Sequence, residues 1–137
     1  MDTNKINQNN KVDVLYADCK YWISAFKFTQ DEIAFITKLL DSYVFEPNTP
    51  NLFERLQDYL KRLEQIKIEN TRVKKRVIDH ENKLGGMLEC VDDACDLTFY
   101  NKHNLIKAEV TNCNEVFKVL KADIFNYAGG ILKSKKP

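Results

Sequence analysis

The chain has 137 residues, 44% hydrophobic and 30% charged, a balance that suits a single soluble domain able to bury a core without staples. Its 21 basic and 20 acidic residues leave a net charge of +1, which removes any global electrostatic case for nucleic acid or an anionic membrane. Gly (4) and Pro (3) are scarce, so few breaks and long elements are expected, and no apolar run approaches the roughly 18 residues of a membrane span.

Residues 1–10, MDTNKINQNN, are polar, lack the apolar centre of a signal peptide and read as a disordered tail. A cytoplasmic protein is the expectation, and with it four reduced thiols at Cys19, Cys90, Cys95 and Cys113.

From residue 11 one pattern dominates: apolar residues recur at alternating steps of four and three, the heptad signal of packed helices. The first seam is Leu15, Cys19, Trp22, Phe26, Thr29, Ile33, Ile36, Leu40 and Tyr43. Pro47 and Pro50 then stop the helix. Thr49 with Pro50 is one start signal for the next, and Asn51 with Glu54 is another.

The second seam is Leu52, Leu56, Tyr59, Leu63, Ile66, Asn70, Val73, Val77, His80, Leu84, Met87 and Val91. Gly85-Gly86 falls inside it, at about 1 kcal/mol per Gly against Ala, and the seam stays in phase across the pair. A weak spot or kink is expected there, in a helix of about 40 residues, roughly 60 Å long. The turn falls in Val91–Asp96, with Asp93 or Asp96 capping the next helix. The third seam is Phe99, His103, Ile106, Val110, Cys113, Phe117, Leu120, Ile124, Tyr127 and Ile131. Gly129-Gly130 frays its end, and residues 133–137 read as a basic tail.

Short connections between long helices force antiparallel neighbours, so residues 11–132 read as one all-α domain, an up-down-up bundle of three long helices with coiled-coil-like packing. A four-helix bundle broken at Gly85-Gly86 is the alternative. A break before Thr29, where Thr29-Gln30-Asp31-Glu32 has capping-box form, is opposed by the unbroken first seam.

Four seam positions are plainly polar: Thr29, Asn70, His80 and His103. A buried Asn at a core position fixes register, and Thr can bond the carbonyl one turn back, so neither Asn70 nor Thr29 requires a function. The histidines carry more. Folding the second and third helices about residues 91–92 puts His80 and His103 at one height, and folding the first two about residue 48 puts Cys19 roughly one turn away. The plainer reading is a hydrogen-bonded pair in the core. The functional one is a site for zinc or another transition metal on His80, His103 and Cys19, with Asp18 or Tyr16 at its flank.

Other constellations are weaker. Cys90 and Cys95 stand beside Asp92, Asp93 and Asp96 without zinc-knuckle spacing, and acidic neighbours oppose thiolate chemistry. There is no Glu-x-x-His pattern, no Gly-rich phosphate loop, no cofactor fingerprint and no defensible nucleophile–base pair. Residues 61–76 hold Lys61, Arg62, Lys67, Arg72, Lys74, Lys75 and Arg76 against Glu64 and Glu69. This run reads as the solvated face of a long helix, with weak nucleic-acid binding as its functional alternative. Tyr21, Phe28 and Phe35, with Val14, form a second ridge at intervals of seven, a surface for a protein partner or a second copy of the chain.

Trp22 with Phe26, Asn70-Thr71, His80 and His103 together resemble the pattern of uncharacterised small helical-bundle proteins of Bacteroidota, over most of residues 20–110. The chain departs from that pattern after His80, at Glu81-Asn82-Lys83-Leu84, and in a longer stretch between the histidines. The resemblance implies a helical bundle, adds weight to the pairing of the histidines and brings no mechanism. The leading expectation is therefore a non-enzymatic interaction protein, with a metal- or ligand-binding bundle second and nucleic-acid binding third.

Overall fold

The structure is a computed structural model that describes residues 3–42 and 51–134. It is all-α: α1 spans Thr3–Leu40, α2 Leu52–Lys83 and α3 Asp93–Ser134, with a 3-10 helix over Leu84–Glu89 between the last two. Every seam residue of α1 from Leu15 to Leu40 is buried. The same holds along α2 and α3, save for half-buried Leu56, Phe99 and Tyr127. Tyr43, Pro47, Thr49, Pro50 and the Ile131 side chain lie outside the described residues. At the start of α2 the Asn51 carbonyl accepts the Arg55 N–H at 3.1 Å, and Asn51 has a φ of 59°, left-handed geometry that Asn tolerates.

The contacts gather the chain into two compact units. The first comprises Met1–Lys27 and Thr71–Thr111. Lys11 pairs with Asp96 and Asp18 with His103, so α1 and α3 ascend together in this unit. Lys20 pairs with Glu81 and Arg76 with Glu109, so α2 descends beside both. The second unit comprises Phe28–Asn70 and Asn112–Pro137. Its core joins Ile33, Ile36 and Leu40 to Leu52, Tyr59 and Leu63 and to Phe117, Leu120 and Ile124. Arg62 faces Asp123 and Tyr59 faces Tyr127, again antiparallel, and Lys121 bonds Glu32 at 2.7 Å.

Several local expectations are corrected. Residues 3–10 are helical, not a disordered tail. Gln8 and Val12 continue the heptad phase backward and are buried, and the Gln8 amide donates to the Met87 carbonyl at 2.8 Å and to Asp96 at 3.0 Å. A polar residue that is satisfied in the core looks, in sequence, like a solvated one.

The α-helical part of the second segment ends at Lys83, so it is shorter than the 40 residues expected, and among the described residues there is no fourth α-helix between the glycine pair and α3. The 3-10 helix has three residues per turn, and its inward side chains accordingly step by three through Leu84, Met87 and Cys90. That change of period turns Val91, expected in the seam, out to solvent. A Cβ on Gly85 or Gly86 would meet only ordinary contacts, with the Tyr16 hydroxyl at 3.8 Å and Phe99 at 3.5 Å. The glycines thus weaken the α-helix by propensity, not by making room.

Cys90 and Cys95 form a disulfide, correcting the expectation of four reduced thiols, while Cys19 and Cys113 lie outside it as buried thiols. The cap of α3 is Asp92, whose Oδ1 accepts the Cys95 N–H at 2.9 Å, and neither Asp93 nor Asp96. Asp96 is taken up by Lys11 and Gln8. At the other end α3 runs unbroken through Gly129-Gly130 to Ser134, and residues 135–137 are not described.

Candidate metal centre

The first unit brings one residue from each helix to a common point. α1 presents Cys19 on its buried seam, α2 presents His80 and α3 presents His103. Their ligand atoms lie within 4.8 Å of one another, and the residues are 0%, 3% and 3% exposed. His80 Nε2 stands 2.9 Å from His103 Nδ1, with the ring centroids 5.1 Å apart. Asp18, one residue before Cys19, meets the opposite nitrogen of His103, Nε2, at 2.8 Å. Trp22, one turn on, stacks on His103 with centroids 4.8 Å apart and planes 31° from parallel.

The carboxylate decides the protonation pattern. An ionised Asp18 only accepts, so His103 Nε2–H donates to it. In a neutral ring that leaves Nδ1 with a lone pair, and His80 Nε2–H donates to Nδ1. Burial pushes the His80 pKa down to about 4, helped by His103 and then Lys102, so this ring is neutral near pH 7. Burial also pushes the Cys19 thiol up to about 12, with Glu81 and Asp18 adding to the effect and Lys20 opposing it. Cys19 is therefore an inert thiol unless a cation displaces its proton.

The arrangement suits a small ion. Two ligands at about 2.05 Å on a tetrahedral centre are separated by about 3.3 Å, close to the spacing of the two ring nitrogens. His103 already directs a bare nitrogen inward. His80 has to move its proton from Nε2 to Nδ1, and Cys19 has to lose one, so binding releases a proton. A carboxylate behind a ligating imidazole is the usual device for fixing its tautomer and raising its basicity. The donor set of two imidazoles and a thiolate fits zinc or copper and disfavours magnesium and calcium, which take oxygen ligands.

Sequence reasoning placed Cys19, His80 and His103 at one level, and the structure brings all three together with Asp18 at the flank. Tyr16, the other flanking candidate, has its hydroxyl beside Gly85. Trp22 as a wall of the site was missed, although its position one turn after Cys19 on the same seam would have shown it. Tyr21, Phe28 and Phe35 are outside the site and 73%, 66% and 62% exposed. In the basic run, Arg72 and Arg76 both bond Glu109 in the first unit, and Arg62 pairs with Asp58 and Asp123 in the second. Comparison with protein-family models, curated proteins and solved structures finds no match to this chain.

Proposed function

We propose that the protein is a metal-binding helical protein, holding a zinc-class ion on Cys19, His80 and His103 with Asp18 orienting His103. The observation that carries this reading is the convergence of three buried donor atoms from three helices within 4.8 Å, with a carboxylate 2.8 Å behind one of them. An ion there would tie three helical stretches of the first unit together, and its binding free energy would add to the unit's stability.

The test is elemental analysis of the purified, untagged protein, with thermal melting before and after chelation. Near-stoichiometric metal, a lower melting temperature after chelation, and loss of metal in His80→Ala and His103→Ala are expected. A metal-free protein that takes up no zinc and melts unchanged in chelator would leave the histidines as a core hydrogen-bonded pair.

A second reading concerns association. Val14, Tyr21, Phe28 and Phe35 recur every seventh residue on α1, and each is more than 60% exposed. A heptad-spaced apolar ridge left in water favours a second copy of the chain or another helical partner. This reading is compatible with the metal site, because none of the four residues is a ligand.

A further inference from the structure

Taken as a contact between copies, the α1 ridge carries charges in an order that fixes how the copies meet. In the second unit its exposed side runs Phe28, Asp31, Ala34, Phe35 and Lys38, in the steps of three and four that keep to one face of a helix. Lys27 stands one turn before Asp31, and Asp41 one turn after Lys38, both exposed. Among the described residues none of these four charges forms an ion pair. Along the helix their signs run plus, minus, plus, minus. Turned end for end, the same row runs minus, plus, minus, plus. Two such helices side by side and antiparallel therefore set unlike charges against each other, whereas a parallel, in-register pair sets Asp31 on Asp31 and Lys38 on Lys38.

The same face has a place for a side chain. Phe28, Asp31, Glu32, Phe35 and Ile36 of α1 line an open groove with Phe125 of α3. Ile36 is buried, Phe125 is 43% exposed, and none of the three phenyl rings stacks on another. Glu32 is engaged by Lys121 at 2.7 Å, so Asp31 is the carboxylate that the groove leaves open. Aromatic walls beside one unpaired carboxylate suit a long cationic side chain: the rings cover its stem and attract its charge.

We infer, on the reading of the ridge as a self-association surface, that α1 pairs antiparallel with α1 of a second copy about a twofold axis beside Ala34 and Phe35. In that register Lys38 of each copy lies opposite Asp31 of the other, at the level between Phe28 and Phe35 where the groove opens. The stem of Lys38 fills the groove and its ammonium meets Asp31. Lys27 comes within one residue of Asp41 of the second copy, so the outer charges agree with the inner ones. Ala34 at the axis, with its small side chain, lets the two backbones approach.

Charge exchange between the two positions tests this register. Sedimentation across a concentration series compares the wild type with Asp31→Lys, Lys38→Asp and the double variant. Each single variant sets two like-charge pairs in the contact and should raise the dissociation constant roughly tenfold. The double variant restores both pairs with their signs reversed and should return to within about threefold of the wild type. Helix content by circular dichroism should be unchanged throughout, because both positions are exposed. Single variants that associate like the wild type, or a double variant as weak as the singles combined, overturn the register and leave self-association standing. A wild type that stays monomeric at the highest concentration overturns self-association and the register with it.

Discussion

Asp18 is the residue on which the chemistry of the site turns. It touches none of the inward-facing donor atoms, yet it selects which nitrogen of His103 is bare. Asp18→Asn keeps the shape but allows the amide to donate as well as accept, so His103 can carry its proton on Nδ1, where a metal has to bind. Metal affinity should fall by about tenfold to a hundredfold in this variant, with helix content unchanged. Competition against a chromophoric chelator measures it, and an affinity equal to wild type would show that Asp18 is merely a surface neighbour. At this scale the sequence was informative because α-helical rise is fixed. Short turns expected near residues 48 and 91 put Cys19, His80 and His103 within reach of one another by counting residues. Asp18 was legible only as a flanking candidate, since which ring nitrogen it meets depends on the rotation of His103, which counting residues does not give.

At the scale of elements, the connection from the 3-10 helix into α3 is where local structure and packing meet. Cys90–Cys95 closes it covalently, Asp92 caps α3, and Asp96 reaches back to α1 through Lys11 at 2.8 Å and Gln8 at 3.0 Å. The Lys11 hydrogen bond, then that of Gln8, holds the Asp96 carboxyl below its ordinary 3.8. As pH falls, the unfolded chain takes up this proton first. The contribution of Asp96 is therefore present above pH 3.8 and lost as pH falls through the lower folded value. Asp96→Asn should melt lower than wild type at pH 7, and the gap should narrow on acidification below about pH 4. Melting curves that run parallel across that range would show that the carboxylate charge is not what Asp96 contributes. The polar stretch 1–10 hid this contact, because Gln8 is inside only by virtue of partners eighty residues away. The Gly85-Gly86 weak spot was visible in propensity. The switch to three residues per turn, which exchanged Val91 for Cys90, was not, because nothing local favours that period.

For the molecule as a whole, the heptads declared an all-α fold of three long helices, since burial of apolar seams is the main source of helix stability in water. They could not declare who covers the remaining apolar surface, because the same repeat serves packing within a chain and between chains. The disulfide shows a similar limit: a pair of cysteines five residues apart reads as thiols if the compartment is assumed reducing, and the sequence alone does not show that the turn brings Cys90 and Cys95 together. The ridge of Val14, Tyr21, Phe28 and Phe35 poses the question of association directly. Exposed apolar side chains at intervals of seven cost solubility unless covered, and an isologous contact between two copies of α1 covers both ridges at once. Sedimentation across a concentration series should therefore show reversible self-association of the wild type. Phe28→Glu/Phe35→Glu should abolish it, because like charges placed in the seam of both copies repel and have to be desolvated together. Helix content and metal content should be unchanged in the double variant, since both residues lie outside the core and the site. A wild-type protein that stays monomeric at the highest concentration would remove self-association from the reading and leave the ridge for a different partner, without touching the case for the metal.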